Sequence, residues 1–297
     1  MKVLVTGSSG LIGSALTKSL KTGGHSVIHL LRTNNNPHSP VWDLDKEEID
    51  LAQTGGNYAV VHLAGENIAD GRWSEKKKNC ILNSRVRGTK LLAEHFACAE
   101  NKPQVFISAS AVGFYGDRGE DIVDESSEVG NGFLAKVCGQ WEEASNVAAE
   151  AGIRVANVRF GVVLSSKGGA LKKMLLPFKM GLGGVIGSGR QYMSWLSIDD
   201  AVAMIQYVIA NDSIHGSVNF VTQNTINNRE FTKTLGRVLN RPTIFPLPVF
   251  AARLAFGEMA DELLLSSTRV FPEKLVDSGY KFQHPDLSQA LEHLIES

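Results

Sequence analysis

Cysteine is scarce. The 297 residues contain three, Cys80, Cys98 and Cys138, far apart and without a C-x-x-C pair. An odd, scattered set does not build a disulfide framework and points to a reducing compartment. Charge of one sign is not in excess either: 30 Lys and Arg meet 31 Asp and Glu, for a net charge of −1. Nothing in that balance points to nucleic acid or an anionic membrane as a partner. The triple lysine at 76–78, preceded by Glu75, reads as a solvated helix face. No uninterrupted apolar run reaches the ~18 residues of a membrane span, and the opening MKVLVTG has no signal-peptide pattern. The expectation is a cytoplasmic protein. The eight histidines are scattered along the chain and form no Cys/His cluster of metal spacing, so no metal site is expected from sequence. G-x-S-x-G, the mark of a nucleophile elbow, is also missing.

What is present is a hydrophobic fraction of 43%, enough for one large core with a smaller appendage. Continuous apolar runs at Lys2–Thr6, Ser26–Arg32, Tyr58–Ala64, Gln104–Ser110, Arg154–Leu164 and Gly216–Thr222 suit strands buried on both faces of a parallel sheet. A short further strand ends at Trp42. Between them, apolar residues recur at helical spacing: Leu11, Ala15, Leu16 and Leu20; Leu91, Leu92, His95 and Phe96; Val137, Trp141, Ala144 and Ala148; Ile198, Val202, Ile205 and Ile209. The alternation predicts a doubly wound α/β sheet of about seven strands. From about residue 165 a glycine-rich stretch to 195 interrupts it. The residues after 225 read as a small, mainly helical region punctuated by proline at 242, 246, 248, 272 and 285. The division is a strand–helix domain over 1–225, holding 165–195 as an insertion, and a helical region over 226–297.

The sharpest motif is VTGSSGLIGSAL, Val5 to Leu16, with glycines at 7, 10 and 13. A strand pattern precedes it and a helix pattern follows, which is the context a phosphate-binding corner needs. Unpaired amides at the helix N-terminus, aided by the helix dipole, attract an anion. Gly7 permits the sharp turn, Gly10 the approach of a pyrophosphate, and Gly13 close packing of helix on strand. The backbones of Leu11 and Ile12 belong to the same corner.

The spacing G-x-x-G-x-x-G resembles the short-chain dehydrogenase/reductase superfamily in its extended, epimerase-like branch. VVHLAG at 60–65, VFISASAVGFYG at 105–116 and SIDDAV at 197–202 carry the resemblance along the chain. HLAGENIADGRW, NSRVRGT, GGALKKMLLPFKMGLGG, GSGRQYMSWLSIDD and GEMADELLLSS narrow it to the atypical, sugar-nucleotide epimerase-like "epimerase family proteins". The resemblance implies a Rossmann-type sheet, a nicotinamide dinucleotide, a small-molecule substrate and a possible homodimer built through helices flanking the sheet.

Several residues are candidates for holding the dinucleotide. The second strand ends in HLLRT, with Leu31 and Arg32 where an acid would select NAD; a guanidinium there pairs a 2′-phosphate and favours NADP(H), against a plain strand-end cation. Asp43 fits adenine recognition or ordinary loop chemistry. Leu63 and Ala64 face the cofactor through their backbone. Arg85 fits a phosphate or ribose contact, or a surface salt bridge.

The superfamily's catalytic pair, Tyr-x-x-x-Lys, is missing. None of the five tyrosines has lysine four residues on. In the region where the pair belongs, GNGFLAKVCGQWEEA, one register gives Phe133 and Val137 and the other Leu134 and Cys138. Neither supplies a proton donor. The remaining candidates are Ser110, with Ser108 as the other choice, for bonding a substrate oxygen, and Tyr115 as donor or wall. Glu66, Asn67 and Arg190 are candidates for substrate binding, each against ordinary loop polarity. Asp199 and Asp200 read as helix-start acids, with Ser197 as cap. Two functions remain open. One is an NADP(H)-dependent oxidoreductase or epimerase acting on a small carbonyl, hydroxyl or sugar-nucleotide-like substrate. The other is a non-catalytic NADP-binding redox sensor or regulator.

Overall fold

The computed structural model describes residues 1–32, 40–51 and 56–296. Six strands form the central sheet: β1 (Lys2–Thr6), β2 (Ser26–Leu30), β3 (Tyr58–His62), β4 (Val105–Ala111), β5 (Arg154–Phe160) and β6 (Gly216–Phe220). Their order is β2-β1-β3-β4-β5-β6, and every pairing is parallel. Side chains alternate between two apolar layers, as the two-residue period of a strand requires. Val3, Val5, Ala59, Val61 and Ile107 enter one layer with Leu16, Leu20 and Ile205. Leu4, Val60 and Phe106 enter the other with Leu92 and Phe96. The first layer is covered by α1 (Leu11–Thr22) and α5 (Ile198–Ala210), the second by α2 (Glu75–Cys98). Each fully buried Leu, Ile, Val or Phe here contributes about 1.5–3 kcal/mol.

Two differences from the sequence reading have local causes. The apolar run Arg154–Leu164 is two strands, broken at Gly161. The break needs glycine, because a Cβ on Gly161 would lie 2.6 Å from the Ser194 carbonyl oxygen. Val162–Leu164 then pairs with Trp195–Ser197. Among the described residues the sheet has six strands rather than about seven: Val41–Asp43 folds back onto Glu48–Asp50 as an antiparallel ribbon, touching the sheet edge through the bridge Leu31–Val41.

The glycine-rich insertion supplies α4 (Gly169–Lys179), and the C-terminal part supplies α6 (Asn228–Val238), α7 (Val249–Phe256) and α8 (Leu287–Glu296). Leu171 and Phe178 of α4 share one buried cluster with Phe231 and Leu235 of α6 and Leu291 and Leu294 of α8. Ser197 caps α5 by accepting the Asp200 amide at 2.9 Å, as its spacing predicts. α3 (Phe133–Glu143) packs beside α2 near the ends of β3 and β4. No described helix is long and apolar enough to cross a membrane.

Candidate active site

The strand order reverses at β1, so a crevice opens at the carboxyl ends of β1 and β3, where this architecture binds its ligands. The glycine corner forms its floor. Gly7 has φ +66°, and a Cβ there would meet the Leu63 carbonyl carbon at 2.7 Å. A Cβ on Gly13 would lie 2.2 Å from the Gly7 carbonyl oxygen. Gly10 caps α1 without a side-chain bond, and no acid occupies the first helical turn. The amides of Leu11, Ile12 and Gly13 therefore have no partner within the helix. The Leu11 side chain turns away and packs on Gly168 and Gly169, while Ile12 packs on the core.

The opposite wall follows β3. Thr6 Oγ1 accepts the amides of Leu63 and Ala64 at 3.2 and 3.3 Å. Its hydroxyl proton is then left for His62 Nδ1, 2.7 Å away. Complete burial, and then the nearby Arg85 charge, hold the His62 pKa down to about 3, so the ring is neutral. Arg85, on α2, lies under Gly65 and over the Trp141 ring, 5.0 Å from its centroid. Its Nη1 donates to the carbonyls of Glu66 and Ile81, which holds the Gly65–Glu66 loop to the helix. Arg32 is exposed beyond β2, close enough that its charge helps lower the Glu66 pKa, behind the larger effect of Lys77. Asp43 has another employment. Its Oδ1 accepts the amides of Asp45 and Lys46, closing the turn of the ribbon, and these bonds keep its carboxyl below the usual range.

Where the superfamily's pair would stand, α3 begins with the Phe133 ring. Trp73 meets that ring edge-on at 5.2 Å, and Lys78 Nζ lies 5.2 Å from its centroid. Gly132, at φ +104°, lets the Glu262 carboxylate reach in and accept the amides of Phe133 and Leu134. Leu134, Val137 and Cys138 are buried in the helix. Burial pushes the Cys138 thiol up to about 12, so it is not a nucleophile.

Ser110 and Tyr115 lie in a buried polar network rather than opening on the crevice. Ser110 Oγ donates to Glu142 Oε1 at 2.7 Å. Glu142 pairs with Arg159, whose Nη1 donates to the Tyr115 hydroxyl; the phenol in turn donates to Asn219 Oδ1. Tyr115 is 0% and Ser110 3% exposed. Burial pushes the phenol up to about 12. Ser108 is also fully buried. The strand face that these side chains occupy is legible only in three dimensions.

Glu66 stands at the rim and accepts from Lys77 Nζ at 2.6 Å. Asn67 Oδ1 accepts the Ala69 amide, a turn bond. Arg190 is exposed in its glycine-rich loop. The triple lysine is more than a solvated face: Lys76 is exposed, but Lys77 reaches Glu66 and Lys78 reaches Glu258 and Glu75. Trp73, Lys78, Glu258 and Glu262 come together around the start of α3, a role that no spacing in the sequence assigns to any of them. Their signal was the undivided motifs GRWSEKKK and GEMADE, which carry no chemical spacing of their own.

Comparison with known proteins agrees with this architecture. Residues 3–220 match the NAD dependent epimerase/dehydratase family, and residues 247–294 a domain of unknown function, DUF1731. An epimerase family protein of Mycobacterium bovis is 43% identical over 97% of this chain and 96% of its own length. One from Bacillus subtilis is 37% identical over 99% and 98%. The crystal structure of the human epimerase family protein SDR39U1 (isoform 2) with NADPH aligns at TM-score 0.92 and 34% identity, over 100% of both chains. The Thermus thermophilus UDP-glucose 4-epimerase complex with NAD shares the fold at TM-score 0.76 and 18% identity, over 100% of this chain and 98% of that one. With residues 3–220 in one family match and relatives 43% and 37% identical over nearly their whole lengths, the chain belongs to the NAD dependent epimerase/dehydratase family.

Proposed function

We propose that the protein is an NADP(H)-dependent oxidoreductase or epimerase acting on a small carbonyl or hydroxyl substrate. The observation that carries this reading is the uncapped N-terminus of α1, with Gly7, Gly10 and Gly13 in contact-limited positions and Arg32 at the end of the neighbouring strand. Its donors fit the group: three backbone amides and a helix dipole for the pyrophosphate, and an exposed guanidinium for a 2′-phosphate. The NADPH in the human relative supports the same choice. Leu31, Leu63 and Ala64 would border the coenzyme through their backbone. Arg85 supports that border from below, and Asp43 holds its own turn. When bound, the dinucleotide supplies hydride chemistry.

The chain's own residues then orient a substrate oxygen. Ser110 is spoken for by Glu142, and Tyr115 by Asn219 and Arg159; we assign Ser110 to holding β4 against α3, and Tyr115 to tying its turn to β5 and β6. Lys78 is the cation standing over Phe133 at the rim. We assign it the polarisation of a substrate oxygen, with Glu66, Asn67 and Arg190 bordering the substrate. Calorimetry with NADPH and NADH, followed by a panel of carbonyl substrates read at the reduced nicotinamide absorbance, tests the proposal. NADPH-selective binding with turnover is expected. Binding without turnover on any class would leave a coenzyme-sensing protein instead, and no binding of either coenzyme would end both readings.

A further inference from the structure

Outside the crevice, one group of side chains has no part in the chemistry above. Asp199 opens α5 beside the buried Asp200. His284 lies in the segment leading to α8, and His293 lies on α8 itself. His293 Nε2 is 3.1 Å from Asp199 Oδ2, and His284 Nε2 is 3.8 Å from the same oxygen. The two imidazoles are stacked, with centroids 4.6 Å apart and planes inclined by 21°. One donor atom from each of the three residues lies within 4.8 Å of the others.

The backbone that presents these donors is well held. Asp200, 1% exposed, accepts the amides of Gln283 and His284 at 2.8 and 2.9 Å, and the Tyr280 hydroxyl at 3.2 Å. That pins residue 284 to the start of α5. His293 is fixed through Leu291 and Leu294, both buried in the C-terminal cluster. Among the described residues, Asp199 has no lysine or arginine ion-pair partner; its carboxylate meets only the two histidines. The side chains are 43%, 20% and 48% exposed for Asp199, His284 and His293, so an ion can enter from solvent and keep water in its remaining positions.

We propose that Asp199, His284 and His293 bind one divalent transition-metal ion of the Zn²⁺ class. Two imidazole nitrogens and a carboxylate oxygen are the donor set such ions take, with an open position left for water. Bonds of about 2.0–2.2 Å in tetrahedral geometry put neighbouring donors about 3.3–3.5 Å apart, between the two separations seen here. The ion would join the start of α5 to α8 and so fasten the C-terminal helix to the sheet domain. Sequence spacing could not reveal the site, because its members come from three separate elements.

The test uses the untagged full-length protein, stripped with a chelator and titrated with Zn²⁺ against a chromophoric competitor. One Zn²⁺ per chain is expected, with a rise in melting temperature. His284→Ala and His293→Ala should each weaken binding more than about tenfold, the lower end of what loss of even an outer partner costs. Asp199→Asn, which keeps the side-chain shape, should do the same. Co²⁺ in place of Zn²⁺ should give intense visible absorption that the three variants lose. His25→Ala is the control at a separate pair of donors, the Met1 amino group and His25 Nδ1 at 3.5 Å, and should leave affinity unchanged. Absence of stoichiometric Zn²⁺ binding, or binding indifferent to both histidine variants, would overturn the proposal.

Discussion

Glu142 and Arg159 face each other inside the protein in a two-point ion pair, Nε to Oε1 and Nη2 to Oε2, each at 2.8 Å. Their side chains are 11% and 4% exposed, and Ser110, Tyr115 and Ser217 bond to one or other partner. A buried pair of this kind is costly to break from one side, because the remaining charge has no water to turn to. Glu142→Gln should cost about 3–5 kcal/mol in urea unfolding.

Ser110→Ala removes a hydrogen bond to that charge and should cost about 1.5–3 kcal/mol. NADPH affinity should stay as in the wild type. Turnover lost by Ser110→Ala with unfolding unchanged would restore Ser110 as a catalytic hydroxyl and refute the positioning role.

Arg32→Ala should weaken NADPH by roughly tenfold or more, the worth of a charge-assisted hydrogen bond. NADH affinity should hardly move, since it offers no 2′-phosphate. Calorimetry with both coenzymes reads the ratio, and equal losses on the two would show that Arg32 does not select the phosphate.

Gly13→Ala places a methyl group 2.2 Å from one backbone oxygen and 2.8 Å from the Ser8 Cα. Overpacking should cost about 1–3 kcal/mol and displace the amides of the corner, so coenzyme binding falls with stability. Gly139→Ala, inside α3, meets nothing nearer than Val129 Cγ2 at 3.8 Å. It should stabilise by up to about 1 kcal/mol. Thermal melts of the two variants make the comparison.

Lys78→Met should leave NADPH binding intact and lower turnover by about 10²-fold, the scale of losing one donor that meets developing charge. Lys78 is held by Glu258 and Glu75, and these bonds raise its pKa, so the ammonium persists across the working pH range. Wild-type turnover in Lys78→Met would remove it from the reaction.

His62 makes stability depend on pH. Its folded pKa is depressed to about 3 from 6.5, chiefly by burial and then by the Arg85 charge. The unfolded chain therefore binds a proton that the folded one refuses. The His62 contribution is whole above 6.5 and declines as pH falls toward about 3, by up to about 1.4 kcal/mol per unit. Urea unfolding of His62→Asn should show a shallower acid decline than the wild type over this range; parallel curves would contradict it.

The features legible in the sequence were those governed by neighbours along the chain. The strands Lys2–Thr6 and Tyr58–His62 follow from continuous apolar runs. The corner at Gly7 follows from a backbone angle that only glycine adopts cheaply, and the Ser197 cap from a three-residue spacing. The missing tyrosine and lysine were equally plain, since a four-residue step on a helix can be read directly.

Chain-local patterns thus determined the doubly wound sheet, the glycine corner at the start of α1 and the lack of a Tyr-x-x-x-Lys pair. Tertiary structure decided where Ser110 and Tyr115 point, which lysines of 76–78 meet an acid, and that Asp199, His284 and His293 converge. The reason is distance along the chain. Which face of β4 meets Glu142, and which helix lies over Asp199, depends on packing between elements far apart in sequence, and no local spacing encodes it.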